Sequence, residues 1–247
     1  MPDIQSSHNQ THVLDRLFQA TTVLGKYRPR RPRPKKNFSV NYSSDYAESV
    51  PSELFFKHYM SKLHGDDSVS AVHKDEQFYG HRGDVFVKHQ DGDVEFEVKF
   101  ENKGLSTGRH AIEFTEYNTD YMGDVIAERC PGWFRLCKAH IVVPVVPTDE
   151  ENIIMYPYDL SLLRRYLAKI AFQAHNDGNS MRSADGTINH KAMLEVLADL
   201  IDGAVCTYGP VNELGSGYYK RSMSLCIPYQ YLLNANLTKP YLVTFDS

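Results

Sequence analysis

The sequence predicts an α/β protein built on a mixed sheet, and three stretches carry that reading. "PSELFFKHYMSKLHG" (residues 51–65) has the marks of a capped amphipathic helix, and "GDVFVKHQDGDVEFEVKFE" (83–101) alternates apolar and charged residues about an Asp-Gly turn. The third, "AHIVVPVV" (139–146), is continuously apolar. A run of that kind suits a strand covered on both faces, as in a partly parallel sheet flanked by helices.

The 247 residues are enough to bury a full core, and 42% hydrophobic with 23% charged residues is the composition of a folded globular chain. A formal net charge of −4 gives no overall signature of polyanion binding. No stretch approaches the roughly 18 consecutive apolar residues of a membrane helix. The N-terminus also lacks the charged-then-apolar order of a secretory signal. Cys130, Cys137, Cys206 and Cys226 form no CxxC pair and no zinc-ligand spacing, so free thiols in a reducing, cytoplasmic compartment are expected.

Taken in order, residues 1–44 read as a flexible basic arm. A short helix is expected around Val13–Leu24, followed by "KYRPRRPRPKK" (26–36), whose prolines forbid a helix interior. So dense a cationic run is either a solubilising or targeting tail or a phosphate-binding segment, with Arg28, Arg30, Arg31, Arg33, Lys35 and Lys36 as the contacts. A helix is then expected from Ser52 as N-cap to Gly65, burying Leu54, Phe55, His58, Tyr59 and Leu63. After the hairpin, "HAIEFTEY" (110–117) reads as a third strand and Met122–Pro131 as a loop or short helix. In the C-terminal part Asp159 caps a helix with Leu160, Leu163, Leu167 and Ile170 inward. A second helix follows "SADGTIN", and "SMSLCIPYQYLL" (222–233) gives a strand and a helical turn. "DGTIN" matches part of a calcium loop but lacks its ligand spacing and terminal Glu, so no calcium is expected there.

The charged hairpin is the chemical centre. A turn at Asp91-Gly92 pairs Gln90 with Asp93, Lys88 with Glu95, Phe86 with Glu97 and Asp84 with Lys99. Val85, Val87, Val94, Phe96 and Val98 then share a core face, and Asp84, Glu97 and Lys99 project from the other, the two acids as diagonal neighbours. A turn displaced by one residue is expected to move Asp84 to the wrong face. Two adjacent carboxylates repel, and a hard divalent cation relieves that by taking oxygens from both. The alternative is a solvated salt-bridge ladder, each pair contributing only about 0–1 kcal/mol.

With "GD" at Gly83-Asp84, "EVK" at Glu97-Val98-Lys99 and, more loosely, "STGRHAIE" (106–113), the chain resembles the PD-(D/E)xK nuclease superfamily, in particular its phage-type members. The resemblance covers roughly Ser49 to Val146. It implies a restriction-endonuclease-like αβββαβ core, a helix, three antiparallel strands, a helix and a further strand, over residues 45–150. Residues 151–247 would be a helical or mixed extension packed on it. It implies that Asp84 and Glu97 hold Mg²⁺ or Mn²⁺ and that Lys99 assists the attacking water. Gly83 stands where the motif usually has Pro.

Glu53 or Glu48, in the first helix, and Glu113, in the third strand, are candidate further ligands. Each is equally accounted for by the helix dipole or by solvation. Glu95 and Glu101 are expected to be solvated. His81 is a candidate proton-transfer group, and Lys103 and Arg109 flank a Gly-rich loop suited to phosphate. Arg164, Arg165, Lys220 and Arg221 are candidate phosphate contacts of the C-terminal part. The expected function is metal-dependent hydrolysis of phosphodiesters, DNA before RNA. A phage or viral origin is implied by the resemblance, and a homodimer is expected if both strands of a duplex are cut. A non-catalytic nucleic-acid-binding protein on the same fold, or an interaction protein with a merely solvated charged strand, are the alternatives.

Overall fold

The structure, a computed structural model, describes residues 14–24, 42–72, 77, 80–101, 104–148, 152–215 and 217–245. It is a mixed α/β protein in which two sheets share the burial of a single acidic strand. The strands of the larger sheet are β1 (Thr21–Leu24), β2 (Val69–Ala71), β3 (Val85–Val87), β4 (Val94–Phe100), β7 (Ile141–Pro147), β8 (Asn152–Met155), β9 (Tyr158–Asp159) and β13 (Tyr241–Phe245). Their order is β1-β13-β8-β7-β4-β3-β2, with β9 also pairing β7. β2, β3 and β4 are antiparallel neighbours, and β7 lies parallel to β4. The second sheet has the order β10-β12-β5-β6, from β5 (Arg109–Thr119), β6 (Val125–Pro131), β10 (Val205–Tyr208) and β12 (Tyr218–Pro228). β11 (Asn212–Gly215) pairs β12 beside it.

The α-helices whose bounds lie within the described residues are α1 (Tyr42–His64), α2 (Gly104–Thr107), α3 (Trp133–Leu136), α4 (Leu160–Asn176), α5 (His190–Leu200) and α6 (Tyr229–Asn234). The cap of α4 follows the sequence, Asp159 accepting from the Leu162 N–H at 2.7 Å; the structure adds a cap to α5, where Asn189 accepts from the Ala192 N–H at 3.1 Å. None of these helices is long and apolar enough to cross a membrane.

α1 departs from expectation. It begins at Tyr42, ten residues before the expected cap, and Ser52 is buried inside it. Its core stripe is rotated by one position: Phe55, Phe56, Tyr59 and Met60 are fully buried, whereas Leu54 is 51% exposed and His58 is exposed. A 3.6-residue period fits both stripes nearly as well, so the choice is made by what α1 packs against. That partner is the apolar face of β3 and β4, where Val85, Val87, Phe96 and Val98 are buried as the alternation predicted.

Four other expectations change. Residues 14–24, assigned to the arm, enter the fold: residues 14–17 are helical, β1 pairs with β13, and Leu14, Leu17, Phe18 and Leu24 join the core beneath α1. The cationic run 26–36 lies outside the described residues. "HAIEFTEY" is not the third strand of the hairpin's sheet but β5, in the second sheet; the neighbour of β3 is β2. Met122–Pro131 carries a strand, β6, and residues 152–245 contribute β8, β9 and β13 to the large sheet as well as three strands to the second. Strand pairing over such separations leaves almost no local trace.

The two helix stripes differ in a measurable way. Phe56→Ala is expected to cost about 3–5 kcal/mol and Leu54→Ala no more than about 0.5 kcal/mol in urea denaturation. Equal costs would contradict the observed face.

Candidate functional site

The hairpin turn forms one residue earlier than expected, where the Gly92 N–H donates to the His89 carbonyl at 3.0 Å. Gly92 carries the positive φ (124°) that a residue with a Cβ adopts poorly. The ladder accordingly pairs Val85 with Phe96, Phe86 with Glu95 and Val87 with Val94. Sliding a whole turn by one residue moves every pair by two, which is the side-chain period of a strand. The faces are therefore conserved, contrary to the expectation that such a slip would strand Asp84. One step beyond the last pair, the register sets Asp84 across from Glu97 instead of diagonal to it.

At Asp84 the chain leaves the regular ladder. Its N–H donates to the Phe96 carbonyl (2.7 Å), and its carboxylate accepts the Val98 N–H (2.7 Å). The side chain thus takes the place of a backbone acceptor at the end of β3. The position before it has room only for glycine: a Cβ on Gly83 would stand 2.4 Å from the Phe96 carbonyl oxygen, and the Gly83 N–H donates to the Glu95 carboxylate. Proline could satisfy neither condition.

The charged face of β4 is covered, not solvated. Glu95 and Glu97 are buried, Glu97 at 9% exposure, and Lys99 is partly buried. Glu95, expected in water, is held by Arg82 at 2.6 and 2.8 Å. Glu101, also expected in water, bonds the fully buried His110 at 2.6 Å, and His110 in turn bonds Tyr158 at 2.9 Å. Glu97 forms an ion pair with Lys99 and receives the Cys137 thiol at 3.7 Å. The Lys99 ammonium lies 4.7 Å from the Trp133 ring centroid.

Electrostatics tie the three motif residues together and add a fourth. Burial, the Glu97 carboxylate and then Glu53 push the Asp84 carboxyl well above its ordinary range, against the opposing pull of Lys99. Burial would lower the Lys99 ammonium, but Glu97 and Asp84 outweigh it and hold its pKa above the ordinary lysine value. Glu53 in α1 therefore acts on Asp84 from the helix side. Glu48 lies in the same helix, before the residues whose side chains are described. Glu113 is raised by its own burial and by Glu116 and is lowered by Lys99, which brings it to the same neighbourhood from the second sheet. Burial and Glu97 push the Cys137 thiol up to about 12.

A cleft of about 440 Å³ opens where the second sheet meets this face, lined by Glu97, Glu113, Glu116, Trp133, Arg82, His81, Arg129 and Lys220 among others. Asp84 and Lys99 lie beside it, not in its lining. Lys220 ion-pairs with Glu116 at 2.7 Å inside it. Of the other cations named from sequence, Arg109 donates to the Gly203 carbonyl (2.9 Å) and Arg164 to the Phe134 and Cys137 carbonyls. Arg221 lies over the Tyr208 ring, and Arg165 is exposed on α4; none of these four lines the cleft. Lys103 and the cations of 28–36 fall outside the described residues.

Trp133, Cys137, Glu116 and Lys220 belong to the site without having been picked out for it from sequence, except that Lys220 was named for phosphate. Their signal was hidden because they come from α3 and the second sheet. Gly132 was the nearest clue: a Cβ there would stand 2.6 Å from the Glu113 carbonyl oxygen, so its absence lets α3 sit against β5.

Among the described residues no three His, Cys, Asp or Glu side chains are grouped closely enough to hold a metal ion by themselves. No protein-family model, curated protein or solved structure matches this chain.

Asp84 binds its proton more tightly folded than unfolded, so this group favours folding most below its unfolded pKa, about 3.9. That contribution is lost as pH rises through the window up to the folded value. Asp84→Asn keeps an acceptor for Val98 and is expected to raise Tm by about 2–5 °C at pH 8, the gain shrinking toward pH 4. A variant no more stable than wild type at pH 8 would remove the strained carboxylate from the account. Gly83→Pro is expected to cost about 3 kcal/mol or more in urea denaturation, since it loses a donor and adds a clash.

Proposed function

We propose that the chain is a divalent-metal-dependent nuclease of PD-(D/E)xK type, acting on DNA. The observation that carries this is Asp84 set across from Glu97, with Lys99 paired to Glu97, at the junction of β3 and β4. The element order supports it. α1, the antiparallel β2-β3-β4, the short α2 and the parallel β7 follow the helix, three strands, helix and strand of a restriction-endonuclease-like core, once β5 and β6 are taken as an excursion into the second sheet.

The donor set fits a hard cation. Asp84 is a desolvated carboxylate pressed by two others, Glu97 and Glu53, and such a group gains from a divalent charge. Asp84 and Glu97 would hold Mg²⁺ or Mn²⁺, with Glu53 nearest as a third acid. Two protein carboxylates with waters is the ordinary way to bind Mg²⁺, and it needs no three-ligand cluster of the kind absent among the described residues. When bound, such an ion supplies an acidified water and a polarised phosphoryl group.

The chain's own residues do the rest. Lys99, its pKa held up by two carboxylates, enters as a cation and not as a base. It suits charge stabilisation on the phosphate or orientation of the water. Glu97 fixes that ammonium by the ion pair, and the cover of the second sheet keeps both in a poorly solvated place, where charge acts more strongly.

One observation favours a second reading, a non-catalytic nucleic-acid-binding protein: Lys99 is already neutralised by Glu97, and among the described residues no three-acid site is preformed.

The two readings separate on metal and turnover. With Mg²⁺ or Mn²⁺ and a mixture of duplex, single-stranded and branched DNA, the wild-type chain is expected to cut. Glu97→Gln and Lys99→Met are expected to lose about a hundredfold or more of that activity while melting cooperatively. Mn²⁺ is expected to raise the wild-type Tm but not that of Asp84→Asn. Salt-sensitive binding without metal-dependent cutting would select the second reading.

A further inference from the structure

The cleft beside Glu97 carries more information than the acids alone. Its volume, about 440 Å³, is in the range of a pocket for one small ligand. It is walled on one side by β5, β6 and β12 and on the other by Gln77, His81 and Arg82. A double helix presents its phosphates on a wide rod and cannot follow them into a pocket of that size, whereas a single strand can turn one nucleotide in.

The lining is divided in the way a nucleotide is divided. Trp133, Pro131 and Leu136 offer aromatic and apolar surface, and Arg82, Arg129 and Lys220, paired with Glu95 or Glu116, offer cations beside the cleft's own acids Glu97, Glu113 and Glu116. The indole of Trp133 is only partly buried. Its ring is fixed by the Phe134 ring packed edge-on to it (84°) and by the Lys99 ammonium. Lys99 lies over one face of the indole and the His110 ring packs against it at 6.3 Å, while Trp133 also lines the cleft, where a planar group can reach it. Bases stack on such side chains with little regard to sequence.

We propose that this cleft takes one unpaired nucleotide of a single-stranded nucleic acid, its base stacked on Trp133 and its phosphate directed to Glu97 and Lys99. The assignment rests on the nuclease reading for the direction of the phosphate, and not for the stacking. It makes the substrate a single strand, a flap or a frayed end in preference to a blunt duplex.

Trp133 is the only tryptophan of the chain, so its fluorescence reports on this cleft alone. The full-length protein is titrated with a 12-nucleotide oligo(dT) and with a blunt 12-base-pair duplex, in Ca²⁺ in place of Mg²⁺ to suppress cutting. Saturable quenching by the single strand and little or none by the duplex is expected. In parallel, anisotropy of a labelled oligo(dT) is expected to show binding weakened roughly 5- to 100-fold in Trp133→Leu and largely restored in Trp133→Phe. Thermal melts of both variants identify any loss of fold.

Equal quenching by strand and duplex, or single-strand affinity unchanged in a folded Trp133→Leu, would overturn the inference. Metal-dependent cutting of the duplex without quenching by the single strand would overturn it too, while sparing the nuclease reading. Single-strand quenching with no cutting of any substrate would uphold the cleft and remove the nuclease reading.

Discussion

The structure depends on the burial of a charged strand. β4 has apolar side chains toward α1 and charged ones toward the second sheet, and neither side is open water. A carboxylate or ammonium taken out of water must find a partner or give up its charge. Each of the four groups finds one: Glu95 has Arg82 and the Gly83 N–H, Glu97 and Lys99 have each other, and Glu101 has His110. Asp84, among the described residues, has the Val98 N–H and the pull of Lys99 against two neighbouring acids. Its carboxyl is the strained member of the set. A carboxyl so perturbed by burial and neighbouring charge marks a candidate functional site.

The cover that creates this strain also creates the cleft. β5 runs alongside β12 over its whole length, and the pair carries Glu113, Glu116 and Lys220 to the face of β4. Gly132 allows α3 to close against β5, which places Trp133 next to Lys99 and Cys137 next to Glu97. A solvated salt-bridge ladder would need none of this. The same alternation of residues therefore means something different once a second sheet stands over it.

Much of the central motif was legible because strands have a period of two. The Val85, Val87, Phe96 and Val98 face, and the grouping of Asp84, Glu97 and Lys99, survived an error in the position of the turn, since whole-turn slips preserve parity. The helix was less forgiving. A 3.6-residue period has no such protection, and the stripe of α1 was misread by one position around Leu54 and Phe56. Glu95 and Glu101 were misread for another reason: charge alone suggests water, and their partners Arg82 and His110 belong to different parts of the fold.

By itself the sequence determined the α/β class, the hairpin with its two faces and the Asp159 cap of α4, because these rest on interactions between near neighbours. Only the tertiary structure decided that β5 leaves the first sheet and that residues 14–24 join it. Only the tertiary structure brought Glu53, Glu113 and Trp133 to the ends of Asp84, Glu97 and Lys99. Those pairings join residues dozens of positions apart, and their energy comes from desolvating whole faces against each other, a quantity that no short window of sequence contains.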